Sequence, residues 1–400
     1  MYKILTYNNI SVAGLERLAR DRYEVASEIQ HPDAILLRSF DLHGVAIPDS
    51  VRCIGRAGVG VNNIPVEECS RRGIPVFNAP GGNANAVKEL VIAGMLLAAR
   101  HICEAWDFAR SLSGDDETVS RAVEQGKKRF AGTELAGKTL GVLGLGAVGV
   151  RVANAAVSLG MNVIGFDPAL TVDRAWELSA SVSRAAGIDD SIARSDFISL
   201  HLPLNGETRH MIGAARLEAA KKGAVLLNFS RAGIVDEPSV CAALDEGRLS
   251  AYVSDFPTSG LMGRKGVLLL PHLGASTAEA EDNCAAMVAD QIRDFLENGN
   301  IRNSVNYPTV EMPRGEGHRI GVANENVPNR VSQISAALGE ANLNILELVN
   351  KSRGEYAYTL IDLNAEVPPT VMDRIRKIPG VLSVHSISNH PSSATAAFQD

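Results

Sequence analysis

The run Gly144-Leu145-Gly146-Ala147-Val148-Gly149 constrains this chain more than any other feature. It follows the apolar stretch Leu140 to Leu143 and opens a stretch of helical periodicity, Ala147 to Leu159. Glycines here let the chain turn sharply out of a strand and bring a helix close against it. A second apolar stretch, Asn162 to Phe166, ends at Asp167, roughly 20 residues beyond the glycines. Strand, glycine turn, helix and acid-ended strand together make half of a parallel α/β sheet. Phe197 to Leu200, Ala224 to Phe229 and Gly266 to Leu270 are further apolar runs without polar alternation, as parallel strands covered on both faces require.

Each glycine has its own task. Gly144 permits the turn, Gly146 lets the backbone approach a pyrophosphate, and Gly149 allows close packing of helix on strand. The helix N-terminus then offers free N–H groups to phosphates. Asp167 is placed to accept hydrogen bonds from ribose hydroxyls and to repel a 2′-phosphate. Pro168 and Ala169 follow it, with no arginine beside them, so NAD is expected over NADP.

The chain has 400 residues, too many for one ordinary core, and two or three domains are expected. Residues 1 to about 90 alternate apolar runs such as KILTY and AILLR with helix-like stretches. Residues 85–110 read as one long, largely buried helix, 111–135 as a polar connection, and Ala278 to Glu297 as a further helix. Residues 301–317, with Pro308 and Pro313, read as a linker. The final stretch has the order strand (319–323), helix (329–338), strand (345–351), strand (356–363), helix (369–377), strand (381–387), a ferredoxin-like βαββαβ pattern. The polar tail beyond Asn389 reads as flexible.

A net charge of −7 argues against nucleic acid or an anionic membrane as the main partner. The five cysteines, Cys53, Cys69, Cys103, Cys241 and Cys284, form no CxxC pair, so neither a disulfide framework nor a metal site is expected. The N-terminus reads as a strand and not as a signal peptide, and the apolar stretch near Leu90 to Ala99 is too short to span a bilayer. A cytoplasmic protein is expected.

Three polar clusters follow apolar strands: Asn228-Phe-Ser230-Arg231 through Asp236, Ser254-Asp255-Phe256-Pro257, and Pro271-His272-Leu-Gly274. Strand C-termini form the ligand side of an open α/β sheet. With Arg38-Ser39, Gly55-Arg56-Ala57-Gly58-Val59-Gly60-Val61-Asn62-Asn63-Ile64, Pro75 to Pro80, Asn83 to Glu89 and Phe130 to Val142, these clusters resemble the D-isomer-specific 2-hydroxyacid dehydrogenases, in the form that carries a C-terminal ACT domain. The resemblance covers nearly the whole chain. It implies two Rossmann-like parallel-sheet α/β domains, a flavodoxin-like substrate domain (1–92 and 272–300) and an NAD-binding domain (93–271). The linker (301–317), the ferredoxin-like ACT domain (318–389) and the tail (390–400) follow.

The resemblance also implies roles. Arg231 would grip the substrate carboxylate through two hydrogen bonds, and His272 would exchange the hydroxyl proton. Gly144 to Gly149, Asp167, His201, Pro203, Ser230, Asp255 and Gly274 would contact NAD. Arg38, Ser39, Arg56, Gly58, Val59, Gly60 and Asn83 would join Arg231 and His272 around the substrate. That substrate is 3-phosphoglycerate by resemblance, with glycerate or lactate as alternatives and a non-catalytic NAD sensor as a second class. Lys127 and Lys128 read equally as a basic edge or a solvated connection. The family glutamate that pairs with the histidine is missing after Asp255-Phe-Pro, where Thr-Ser-Gly-Leu-Met follows, and Asp255 is the carboxylate at hand. Asn324, Asn326 and Asn344 match effector positions for L-serine, although Asn324 and Asn329 replace the family's histidine and glycine. A homodimer or homotetramer is expected.

Overall fold

The computed structural model of the protein describes residues 1–315 and 317–387. The expected tail and the last two residues of the expected ACT domain lie outside the described residues. The chain divides into two compact units, Met1–Asn83 with Glu281–Asp400, and Ala84–Ala280.

The first unit begins with a parallel sheet. Its strands are β1 (Tyr2–Tyr7), β2 (Tyr23–Ala26), β3 (Ala34–Leu37), β4 (Cys53–Arg56) and β5 (Val76–Phe77), in the order β2-β1-β3-β4-β5. This is the flavodoxin-like order. All four residues of β3 are buried, because elements cover both faces. The helix Ala278–Asn298 lies so close that a Cβ on Gly55 would come within 2.4 Å of Val288 and 2.7 Å of Ile292.

The second unit carries seven strands: β6 (Thr139–Leu143), β7 (Asn162–Phe166), β8 (Val182–Arg184), β9 (Phe197–Leu200), β10 (Ala224–Asn228), β11 (Leu249–Ser254) and β12 (Val267–Leu269). All pair in parallel, in the order β12-β11-β10-β9-β6-β7-β8. The order reverses between β6 and β9, and in such sheets ligands bind at that switch point. Leu140, Val142, Val163, Phe197 and Val225 fill the core, each contributing roughly 1.5–3 kcal/mol on burial.

Several expectations are corrected. The helix Ala84–Ala99 lies entirely in the second unit, which begins ahead of the expected start of the NAD-binding domain at residue 93. Val87, Val91 and Met95 share its core with Leu140 and Val253, and a cut at residue 92 would split one buried face. The second unit runs on to Ala280. The long helix expected over 85–110 breaks at His101, whose φ of 49° is left-handed, and a second helix runs Ile102–Ser111. The expected connection 111–135 contains a helix, Asp116–Gly126. Asp115 caps it by accepting the Thr118 N–H, and Asp116 and Glu117 favour its first turn.

The terminal strands β13 (His318–Glu325), β14 (Ile345–Arg353), β15 (Tyr356–Leu363) and β16 (Val381–Ile387) pair antiparallel in the order β14-β15-β13-β16. Helices Arg330–Gly339 and Pro369–Arg376 pack on one face through Ile334, Leu338 and Ile375. This is the ferredoxin-like arrangement.

Residues 301–315 are not a free linker. Ile301 pairs with Val310, and the Val305 N–H donates to the Val76 carbonyl. Asn306 accepts the Val76 N–H and donates to the Ile74 carbonyl, while Tyr307 Oη donates to the Ser70 carbonyl. Tyr307, Val310 and Met312 carry apolar surface that burial removes from water, and all three are within 1% of full burial. Arg319, fully buried, donates to both oxygens of Asp362 and to the carbonyls of Asn298, Met312 and Pro313. A charge buried this deeply is tolerated because every side of it is hydrogen-bonded.

Candidate functional site

The turn after β6 is shaped by steric necessity. Gly144 has φ +92°, a left-handed conformation, and a Cβ there would meet the His201 carbonyl oxygen at 2.4 Å. A Cβ on Gly149 would stand 1.9 Å from the Gly144 carbonyl oxygen, so only glycine lets the helix approach. At Gly146 a Cβ would meet nothing within 4 Å. Gly146 precedes the helix Ala147–Ser158, which has no side-chain cap, so its first N–H groups are offered outward.

Asp167, at the end of β7, accepts the Leu145 N–H at 2.8 Å through Oδ2 and the Ala169 N–H at 2.8 Å through Oδ1. It thereby ties the glycine turn to the neighbouring strand. Leu145, Asp167, Pro168, Leu170, Val182 and Arg184 line a cleft of about 310 Å³ beside it. No arginine follows Asp167 along the chain, but β8 pairs with β7 and brings Arg184 laterally into the same cleft.

The C-terminal edge of the same sheet gathers the remaining residues of this unit. His201 follows β9, with Ser199 Oγ 2.8 Å from its Nε2, and desolvation pushes its pKa down to about 4. Pro203 follows, its carbonyl accepting from Thr208 Oγ1 at 2.6 Å. Ser230 Oγ donates to the Leu200 carbonyl. Fully buried Asn228 accepts the Ser230 N–H and donates to the Arg231 carbonyl at 3.0 Å, fixing the loop that presents Arg231. The exposed guanidinium of Arg231 donates to the Ser230 carbonyl at 2.7 Å. Among the described residues of its unit, no carboxylate pairs with it.

His272 is exposed, with φ +55°. Its ring stands edge-on to Phe256, centroids 5.2 Å apart. Asp255, 1% exposed, accepts the Leu273 N–H at 2.7 Å and the Gly274 N–H at 2.8 Å. Asp255 makes no hydrogen bond to the His272 ring; its two oxygens hold the backbone amides that follow His272. Among the described residues of this unit, no carboxylate pairs with the His272 ring.

The other expected substrate residues fall in the first unit. Arg38 follows β3, and its Nη2 lies 2.5 Å from Glu281 Oε1. Arg56 Nε and Asn63 Nδ2 both donate to the Arg38 carbonyl, and Asn8 Oδ1 accepts the Ser39 N–H at 3.1 Å. A Cβ on Gly58 would meet Arg56 Nη1 at 2.2 Å, so glycine there makes room for the guanidinium. The Val59 carbonyl accepts from Asn78, Gly60 follows in the same turn, and Asn83 ends the segment before the helix Ala84–Ala99. Asn63 belongs to the Gly55 to Ile64 run, whereas Glu281 and Asn8 carry no motif of their own and were missed.

In the terminal sheet, Asn324 is 1% exposed and its Oδ1 has no hydrogen-bond partner among the described residues. Asn326 donates to the Gly354 carbonyl at 3.0 Å, and the Asn344 N–H donates to Asn364 Oδ1 at 2.9 Å. Asn329 adopts φ +67°, the left-handed conformation that asparagine tolerates best after glycine. Among the described residues no group of three His, Cys, Asp or Glu could hold a metal ion, and no helix is long and apolar enough to cross a membrane.

Residues 92–274 match the family described as D-isomer specific 2-hydroxyacid dehydrogenase, NAD binding domain. D-3-phosphoglycerate dehydrogenase of Archaeoglobus fulgidus is 36% identical over 74% of this chain, which spans only 56% of that protein's length. The Escherichia coli D-3-phosphoglycerate dehydrogenase is 33% identical over 82% of this chain and 80% of its own length. The crystal structure of NAD+-bound 3-phosphoglycerate dehydrogenase of Entamoeba histolytica has a TM-score of 0.58 at 27% identity, covering 76% of this chain and 98% of that one. The chain belongs to the D-isomer-specific 2-hydroxyacid dehydrogenase family.

Proposed function

We propose that the protein is an NAD-dependent dehydrogenase that oxidises 3-phosphoglycerate at C2 to 3-phosphohydroxypyruvate, a reaction that opens a route to L-serine. One observation carries the reading. Arg231, unpaired by any described carboxylate of its unit, and His272, on a braced turn, both leave the C-terminal edge of a parallel sheet whose glycine turn is open at Gly146.

NAD fits this site. The uncapped helix N-terminus behind Gly146 would hold its pyrophosphate, and Asp167 its ribose. Bound there, it supplies the hydride acceptor. Arg231 grips the carboxylate through two parallel hydrogen bonds and fixes the face of C2 that is turned to the acceptor. As the C2 hydrogen leaves with its electron pair, the imidazole of His272 takes the hydroxyl proton and the C–O bond becomes a carbonyl. Arg38, Ser39, Arg56 and Asn83 are assigned to the substrate phosphate. The pair of arginines favours a phosphorylated acid over glycerate or lactate.

The direct test is NADH appearance with 3-phosphoglycerate, glycerate and lactate, run also in reverse with phosphohydroxypyruvate. Equal kcat/KM for phosphorylated and unphosphorylated acids would remove the phosphate assignment. NADH binding with no turnover of any of them would favour the sensor reading. We assign L-serine to Asn324 and Asn326 at one end of the terminal sheet, with Asn344, which lies at its other end, reaching the effector from a neighbouring terminal domain; the buried Asn324 Oδ1, without a hydrogen-bond partner among the described residues, supports the assignment. Calorimetry with L-serine tests this, and an absence of heat leaves the terminal sheet an assembly role. A homodimer or homotetramer is tested by light scattering. The five free cysteines fit a cytoplasmic setting.

A further inference from the structure

We infer that Asp255 is a positioning residue for His272, whose buried carboxylate holds the turn that presents the imidazole. The inference rests on the reading of His272 as proton acceptor and adds a second residue through which that acceptor is aimed.

A carboxylate that is 1% exposed must be satisfied inside the protein. Asp255 is satisfied by the two backbone amides that immediately follow His272, Leu273 N–H to Oδ1 at 2.7 Å and Gly274 N–H to Oδ2 at 2.8 Å. Both are charge-assisted, stronger than bonds between neutral groups. Between them they clamp a turn whose first residue is strained. His272 has φ +55°, which crowds the Cβ of any residue other than glycine. Such a conformation persists only where the surroundings over-determine it.

A Cβ on Gly274 would press on the clamp, standing 3.3 Å from Asp255 Oδ2 and in ordinary contact, 3.4 Å, with Val87. The residue after Asp255 completes the arrangement, since Phe256 meets the His272 ring edge-on at 62° between the ring planes. The end of β11 thus fixes the backbone of the turn with one side chain and braces the ring with the next. Among the described residues of this unit, the ring itself has no carboxylate partner, so its direction is set by these two contacts.

The test is a cycle of Asp255→Asn and His272→Ala. Asparagine keeps the shape and one acceptor but turns an N–H against one of the two amides. In the parent enzyme Asp255→Asn should lower kcat about 30-fold, as a small misplacement of a reacting group does. In the His272→Ala background the same substitution should change kcat by less than about 2-fold, because nothing is left to aim. Equal losses in both backgrounds would overturn the positioning role and place Asp255 on the cofactor or the fold. An unchanged kcat in His272→Ala alone would instead sink the proton-acceptor reading, and the inference with it. Should Asp255→Asn fail to fold, Gly274→Ala replaces it in the same cycle. It should give a smaller loss with the same dependence on His272, and a loss independent of His272 would overturn the inference.

Discussion

The turn after β6 and the turn after β13 each leave the first strand of a sheet and enter a helix, yet they are made from opposite materials. The first is backbone. Gly144 is left-handed, Gly149 has no space for a side chain, and Gly146 borders open space. The second keeps its side chains. Asn324 is buried with an oxygen that has no hydrogen-bond partner among the described residues, Asn326 bonds across to Gly354, and Asn329 takes the left-handed position that glycine could fill. A glycine turn offers fixed N–H groups to an anion that comes up to the chain. An asparagine turn offers amides that can both donate and accept, which suits a small zwitterion. Steric demand governs the first turn and hydrogen-bond demand the second.

The hardest blow to the contrast falls at Arg319, which anchors the far end of β13. Arg319→Ala leaves Asp362 buried without its partner and should cost about 3–5 kcal/mol in urea unfolding. If the loss is under about 1 kcal/mol, the terminal turn does not depend on an anchored strand. Next come the glycines. Gly149→Ala forces a methyl against the Gly144 carbonyl and should cost about 1–3 kcal/mol along with measurable NADH binding. Gly146→Ala should leave the melting temperature alone and weaken NADH only. Equal thermal effects of the two would refute the division between a structural and a ligand-facing glycine.

Each of the two sheets carries a histidine that burial holds neutral, His201 at about 4 and His385 at about 3. Both values lie below the unfolded value near 6.5, so the unfolded chain binds more protons in between. Their stabilisation is complete above about 6.5 and is lost as pH falls through the folded values. His201→Gln should flatten the decline of the urea midpoint between pH 6.5 and 4, and His385→Gln should do so down to about 3. The smallest effect is expected at Asn329→Gly, within about 0.5 kcal/mol, since relief of the left-handed backbone and the added freedom of the unfolded chain oppose each other.

The contrast also explains what was legible in the sequence. Gly144, Gly146, Gly149 and Asp167 announce themselves because a backbone turn needs glycine at fixed spacing. Both parallel sheets and the terminal βαββαβ order follow from apolar runs in the same way. The break at His101 was hidden, since neither Gly nor Pro marks it and a histidine takes the left-handed position. Glu281 was hidden because it meets Arg38 across 243 residues of chain. Asp255 was visible as a carboxylate near His272, but not the atoms it holds. Sequence proximity suggested the ring, whereas hydrogen bonding selected the two amides beyond it.

The strap from Ile301 to Met312 has a practical consequence. Its polar residues and prolines have the look of a hinge, yet its backbone is paired with itself and with β5, and Tyr307 lies in the first unit's core. Limited proteolysis, the ordinary way to release a terminal module, should find no loose peptide there. A gene truncated or fused at this point would lose interior packing of the domain that is meant to remain.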